Sequence, residues 1–312
     1  MFRFLFKRRH SKTVSNDDNL KSASEQMPAV NRLVKTPLFE DHHLLTSMII
    51  HHADGLEFAV NLFYMACSFR YRKIKQYPTF LEEQDNPKLT VLKILDSLPR
   101  LEFLKRYLKR RKVIGHSRSC KELLLAQLLM DIHPSLYDLM VWIIKRHEPW
   151  TISLENKKLT DELFHYTLKH DDSHKFELLK KNHGSKLGWH GSPHYCWHPI
   201  VIEGLKNMSN TPFELHGHVM GEGINLSKYS SMAHAYVSYT PCWKNSEWST
   251  CCVNGFSVGI MALCEFISLP SYEREKAYVI PKEEHVRVVS CCIFSSNQLH
   301  APRKASSMKL CT

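Results

Sequence analysis

The spacing of apolar residues changes part-way along this chain, and that change of period limits the possible folds more than any single motif does. Between Leu38 and about Arg146, large apolar side chains recur at three and four residues. Phe58, Leu62, Met65 and Phe69 form one such row, and Leu92, Leu95 and Leu98 another. This is the period of helices that turn one stripe toward a core. After about residue 185 the apolar residues gather into short runs bounded by Gly, Pro, Ser or charge: Val258–Cys264, Ala277–Ile280 and His285–Val289. Such runs read as strands. The expected fold class is therefore α+β, a helical N-terminal segment followed by a mixed, strand-rich domain. The expected divisions are a flexible basic arm over residues 1–37, a helical segment over 38–184 and the strand-rich domain over 185–312.

Local signals refine this outline. Residues 10–30 are rich in Ser, Asn, Asp and Lys, with too few large apolar groups to offset the entropy of ordering. Ser119-Cys120-Lys121-Glu122 has the form of a capping box ahead of Leu123-Leu124-Leu125-Ala126, and predicts a helix start there. Pro134 breaks the run, and a second helix should carry Leu136, Leu139, Met140 and Ile143. The densest basic cluster is Lys105–Lys112. It reads first as a solvated helix end, favoured by the macrodipole, and second as a phosphate-binding patch for nucleic acid.

Composition sets the outer limits. Lys and Arg number 42 against 31 Asp and Glu, a formal net charge of +11, so the surface favours anionic partners. No apolar stretch approaches the roughly eighteen residues of a membrane-spanning helix, so no transmembrane segment is expected. The opening Met1–Phe6 puts its apolar part before the basic Lys7-Arg8-Arg9 and is too short for a secretory leader. Ten cysteines, with Cys251-Cys252 and Cys291-Cys292 adjacent, do not make a disulfide framework. Cys311-Thr312 lacks the spacing of a prenylation box. These features predict a protein of the cytoplasm or nucleus with free thiols.

Two glycine-bearing turns stand out: Trp189-His190-Gly191-Ser192, and Gly221-Glu222-Gly223-Ile224-Asn225-Leu226-Ser227. Glycine lets a backbone approach a flat ligand closely, because no Cβ intervenes. A helix from Trp197 to Leu205 is expected between them. Ser230–Tyr236, Met261–Ile267, Ala277–Pro281 and His285–Val288 then follow in order. This ordered series resembles the catalytic domain of the poly(ADP-ribose) polymerase family of ADP-ribosyltransferases, over roughly residues 185–295. Within that family it is most similar to the intracellular subgroup that transfers single ADP-ribose units.

The resemblance implies an ADP-ribosyltransferase-like fold, NAD as substrate and protein acceptors. It implies that His190 hydrogen-bonds a ribose hydroxyl, that Gly191 pairs the nicotinamide carboxamide through its main chain, and that Tyr236 lies against the nicotinamide ring. Ser192 and Gly223 fall in the same pocket-forming turns. Three positions depart from the family pattern. Asn225 stands where the family has a tyrosine, Ala233 where a serine holds the carboxamide, and Ala277 at the third signature position, with Tyr278 next to it. With no carboxylate at that third position, chain elongation is not expected. The expected activity is single-unit transfer with release of nicotinamide. The competing expectation is a catalytically inactive module that binds NAD or ADP-ribose, nucleic acid or a protein partner.

Other chemistries find less support. His194-Tyr195-Cys196-Trp197-His198, and Cys242 with Cys251 and Cys252, hold residue types that bind zinc, but without paired Cys-x-x-Cys spacing, and no metal is expected. No nucleophile elbow or P-loop is present, and Gly221-Glu222-Gly223 lacks the third glycine of a dinucleotide-binding fingerprint.

Overall fold

The structure, a computed structural model, describes residues 37–69, 77–82, 84–112, 118–147, 151–153, 164–169, 174–212, 214, 220–251, 257–296 and 305. The arm expected over 1–37 lies outside them except for its last residue. Helices come first: α1 Pro37–His51, α2 Ala53–Ser68, the short α3 Thr79–Glu82, α4 Pro87–Ser97, α5 Leu101–Lys112, α6 Arg118–Ile132 and α7 Leu136–His147. The sheet then takes β1 Thr151–Ser153, β2 Phe164–Lys169, β3 Ser185–Gly191, β4 Ile224–Ser227, β5 Val258–Ile267, β6 Ala277–Ile280 and β7 Val286–Ser295. Four further helices interrupt it: α8 His174–His183, α9 Trp197–Glu203, α10 Ser230–His234 and α11 Glu247–Cys251. The α+β class follows directly. No helix among the described residues is long and apolar enough to cross a membrane.

The seven strands run in the order β1-β2-β7-β5-β3-β4-β6, with every neighbouring pair antiparallel. β5 is buried at every position, and its sequence is apolar without alternation except at Glu265, which pairs with Lys180 and Arg287. Two strands and one helix of this layer come from residues 151–183, a stretch that the sequence reading assigned to the helical segment. Phe164, Tyr166 and Leu168 alternate with His165 and Thr167 there, the two-residue period of a strand with one face inward. A second expectation also changes. The helix carrying Leu123–Ala126 starts at Arg118, so Ser119 falls within its first turn and not at a cap. Glu122, the other half of the expected box, is only 2% exposed and meets His43 of α1 at 3.2 Å.

α2 joins the two layers. Leu56, Ala59, Val60, Phe63 and Cys67 belong to the core of the helical bundle, and Phe58, Leu62 and Met65 to the core beneath the sheet. A helix apolar on all sides is one buried on all sides. Its two buried polar residues are therefore bonded. Glu57 Oε1 accepts from Ser246 Oγ at 2.7 Å and from the backbone N–H of Glu247, at the start of α11. Asn61 Nδ2 donates to Ser246 Oγ at 2.9 Å, and Asn61 Oδ1 accepts from the Trp243 N–H at 3.2 Å.

Burial pushes the Glu57 carboxyl up to about 7, against the hydrogen bonds it accepts, which lower it. An acid whose folded pKa exceeds its unfolded value, about 4.3, holds more protons when folded. The stability it contributes is complete below about 4.3 and falls away as pH rises toward about 7, by up to roughly 4 kcal/mol. Glu57→Gln removes that dependence and keeps an acceptor oxygen. In chemical denaturation across pH 5 to 8, wild type should lose stability relative to the variant as pH rises. Parallel profiles would show that Glu57 does not titrate in this range.

Candidate active site

β3 lies between β5 and β4 and delivers His190-Gly191 at its end; Ser192-Pro193 and a turn over His194–Cys196 then lead into α9. His190 Nδ1 lies 3.2 Å from the carbonyl oxygen of Asn225, and Nε2 lies 2.9 Å from Ser192 Oγ. A carbonyl only accepts, so Nδ1 carries the proton and Nε2 accepts from the serine hydroxyl. Burial lowers the pKa of His190, with the bond to Asn225 opposing it, so the ring is held neutral. Asn225 holds His190 through its main chain, so this contact does not depend on the side chain at position 225.

Gly191 is fixed by packing. A Cβ built on it would lie 1.8 Å from the carbonyl oxygen of Ala233 and 3.3 Å from the Tyr236 Cβ. The end of α10 and Tyr236, two residues beyond it, thus press directly on the end of β3. Tyr236 is 40% exposed beside this glycine, with its N–H bonded to the Ala233 carbonyl at 3.1 Å. Ala233 is buried and meets Gly191 through its backbone.

The second glycine turn is built on strain that only glycine relieves. Gly223 has φ +142°, and a Cβ there would meet the Ile280 carbonyl at 2.9 Å. Its N–H donates to Ser209 Oγ at 2.8 Å, and Asn225 Nδ2 donates to its carbonyl at 3.1 Å, so Asn225 braces the turn. In the β4–β6 register Asn225 faces Val279 and Ser227 faces Ala277, while Leu226 faces Tyr278. Alternation puts Asn225, Ser227, Ala277 and Val279 on one face and Tyr278 on the other. Tyr278 packs on Phe266 with ring centroids 4.5 Å apart. Ala277, and not Tyr278, therefore shares the face of Asn225, and none of those four side chains is a carboxylate.

The structure thus brings His190, Ser192 and Asn225 into one hydrogen-bonded group, and Gly191, Ala233 and Tyr236 into one packed group. It ties Gly223 to the end of β6 and buries Ala277 along the same strand. Two contributors carry no signal in the sequence. Ser238 Oγ accepts the His194 N–H at 2.9 Å and lies 2.8 Å from His194 Nδ1, linking the turn after Gly191 to the arm after Tyr236. Ser209 is the other.

Among the described residues no group of three or more His, Cys, Asp or Glu is placed to hold a metal ion. The residues of the His194–His198 run point to separate partners: His194 to Ser238, and His198 to Phe63 and His147 at ring distances of 4.9 and 5.4 Å. Cys252 lies outside the described residues. In the basic cluster, Leu104 and Leu108 face the core while Arg106, Lys109 and Arg110 are exposed.

Residues 155–309 match the family model of the poly(ADP-ribose) polymerase catalytic domain. This part of the chain belongs to that family. The matched stretch holds strands β2 to β7, and α1 to α7 precede it. The chain is 30% identical over 132 residues to mouse (Mus musculus) "protein mono-ADP-ribosyltransferase PARP8", covering 36% of this chain and 16% of that protein. Against the human (Homo sapiens) protein of the same name it is 44% identical over 61 residues, covering 20% of this chain and 7% of the other. The alignments thus span about a sixth or less of these relatives' length. In this poly(ADP-ribose) polymerase domain, His190 and Gly191 close β3 and Ser192 follows them.

Gly191→Ala should destabilise the fold whether or not a ligand is present, because the new methyl meets backbone and not a movable side chain. Overpacking of this kind costs about 1–3 kcal/mol. Thermal unfolding without ligand should show a lowered midpoint; an unchanged midpoint would mean that α10 does not press on β3 as described.

Proposed function

We propose that the protein is an NAD-dependent ADP-ribosyltransferase that moves single ADP-ribose units to protein side chains and releases nicotinamide. The observation that carries this reading is the half-exposed Tyr236 ring beside the Cβ-less end of β3, with the neutral His190 fixed next to it. The family match and the names of the relatives support the chemical class. Nicotinamide is flat, and an aromatic platform favours it through offset stacking. Gly191 would offer its main chain to the carboxamide, and His190 Nε2 would exchange the Ser192 hydroxyl for a ribose hydroxyl.

In the reaction the acceptor lone pair attacks the anomeric carbon of the nicotinamide ribose. The carbon–nitrogen bond breaks toward the pyridinium nitrogen, nicotinamide leaves neutral, and the acceptor's proton passes to solvent. The residues contribute positioning and electrostatic complementarity to an oxocarbenium-like transition state. Asn225 offers no second ring, and Ala233 no hydroxyl. Each loss costs about 0.5–1.5 kcal/mol, together roughly five- to a hundredfold in affinity or rate. The face shared by Asn225, Ser227, Ala277 and Val279 lacks a carboxylate to polarise a ribose hydroxyl, which supports single-unit transfer.

The bracing role of Asn225 favours one second reading, a module that binds NAD without turnover. Cys67, Cys196, Cys242, Cys264, Cys291 and Cys292 are buried and form no disulfide, which supports a reducing compartment, the cytoplasm or nucleus. With labelled NAD and purified protein, wild type should incorporate single units and His190→Ala should lose at least about 90% of that signal, a loss of one transition-state contact. Binding without incorporation would select the second reading, and absence of both would refute the NAD site.

A further inference from the structure

α2 lies far outside the family-matched stretch, yet it touches both sides of the proposed site. On the side of the His190 turn, Phe63 packs on His198, with ring centroids 4.9 Å apart. Phe69, just past the end of α2, stacks on Tyr195 at 3.8 Å with an interplanar angle of 14°. On the side of Tyr236, the chain from 237 to 246 has little regular structure of its own. Thr240 makes an isolated bridge to Val258, and its hydroxyl lies 3.4 Å from Ser68 Oγ. Trp243 donates its N–H to Asn61, and Ser246 bonds both Asn61 and Glu57. The two sides also meet directly through His194 and Ser238.

Burial makes this attachment costly to lose. Asn61 is fully buried and spends its carboxamide on three bonds: to the Glu57 carbonyl at 3.0 Å, to Ser246 Oγ at 2.9 Å, and from the Trp243 N–H at 3.2 Å. Removing it leaves buried donors and acceptors unpaired. Trp243 packs into the helical core and Trp248 into the sheet core, where its ring N–H bonds Tyr166 Oη at 2.7 Å. The arm after Tyr236 is therefore pinned between the layers by groups that α2 supplies.

We propose that α2 is a wall of the transferase site, with Asn61 and Glu57 as positioning residues that hold the Tyr236 arm against the His190 turn. The inference rests on the NAD reading for its functional meaning, but not for its structural one. Asn61→Leu keeps the branched shape and heavy-atom count of the side chain while deleting all three bonds. In hydrogen–deuterium exchange of the full chain, this variant should speed exchange about tenfold in peptides covering 190–196 and 234–243, with β5 and β7 unchanged, as expected for lost buried hydrogen bonds. In the transfer assay, KM for NAD should rise about tenfold with kcat altered less than about twofold, the signature of lost binding geometry. If Asn61→Leu does not fold, Ser246→Ala carries the same test with a smaller rise of about threefold.

Faster exchange confined to α2 and 242–248, with 190–196 unaffected, would overturn the inference whatever wild type does with NAD. Wild type that neither binds nor transfers would refute the NAD reading, and the exchange pattern would still decide whether α2 controls both arms.

Discussion

The burial of α2 on both sides is the contact on which the rest of the structure depends. Its apolar residues are divided between two cores, so neither layer is complete without it. Large-to-small changes at such positions cost several kcal/mol, a large share of the stability of an ordinary domain. Burial also explains the polar residues on this helix. Glu57 and Asn61 persist inside because the segment around Ser246 presents matching donors and acceptors, and that match fixes how the arm after Tyr236 is laid down.

Tight backbone packing at Gly191 has a similar reach. The carbonyl of Ala233 occupies the space a side chain would need, so α10 can sit flat on β3 and bring Tyr236 beside the strand end. A glycine at this position would be required even by a chain that binds nothing. The stronger functional signal is what accompanies it: an exposed tyrosine where an aromatic would otherwise bury itself, and a histidine whose tautomer is fixed by a carbonyl from the neighbouring strand. Of the three positions expected to depart from the family pattern, Asn225 braces the Gly223 turn, Ala233 makes a backbone contact, and Ala277 lies on a face without charge.

Much of this was legible in the sequence where spacing and burial agree. The rows at Phe58–Phe69 and Leu92–Leu98 read as helices because one period ran long enough to be seen. The runs at 258, 277 and 286 read as strands because breakers bound them. β2 is hard to read because its alternation spans only six residues, Phe164–Lys169, in a stretch flanked by charge. The capping box expected at Ser119 is not formed, since Ser119 lies within α6 and Glu122 meets His43 inside the bundle. In the site, the residues that belong to ordered motifs were legible. The His194–Ser238 link and the Asn61–Ser246 link join positions 44 and 185 apart, and no local pattern encodes them.

A structure of the full chain bound to a non-hydrolysable NAD analogue would decide whether the two glycine-bearing turns enclose a nicotinamide ring. The carboxamide should lie within about 3 Å of the Gly191 main-chain N–H and C=O, with the ring against Tyr236. An analogue bound elsewhere, or no binding at millimolar concentration with that space filled by side chains, would contradict it.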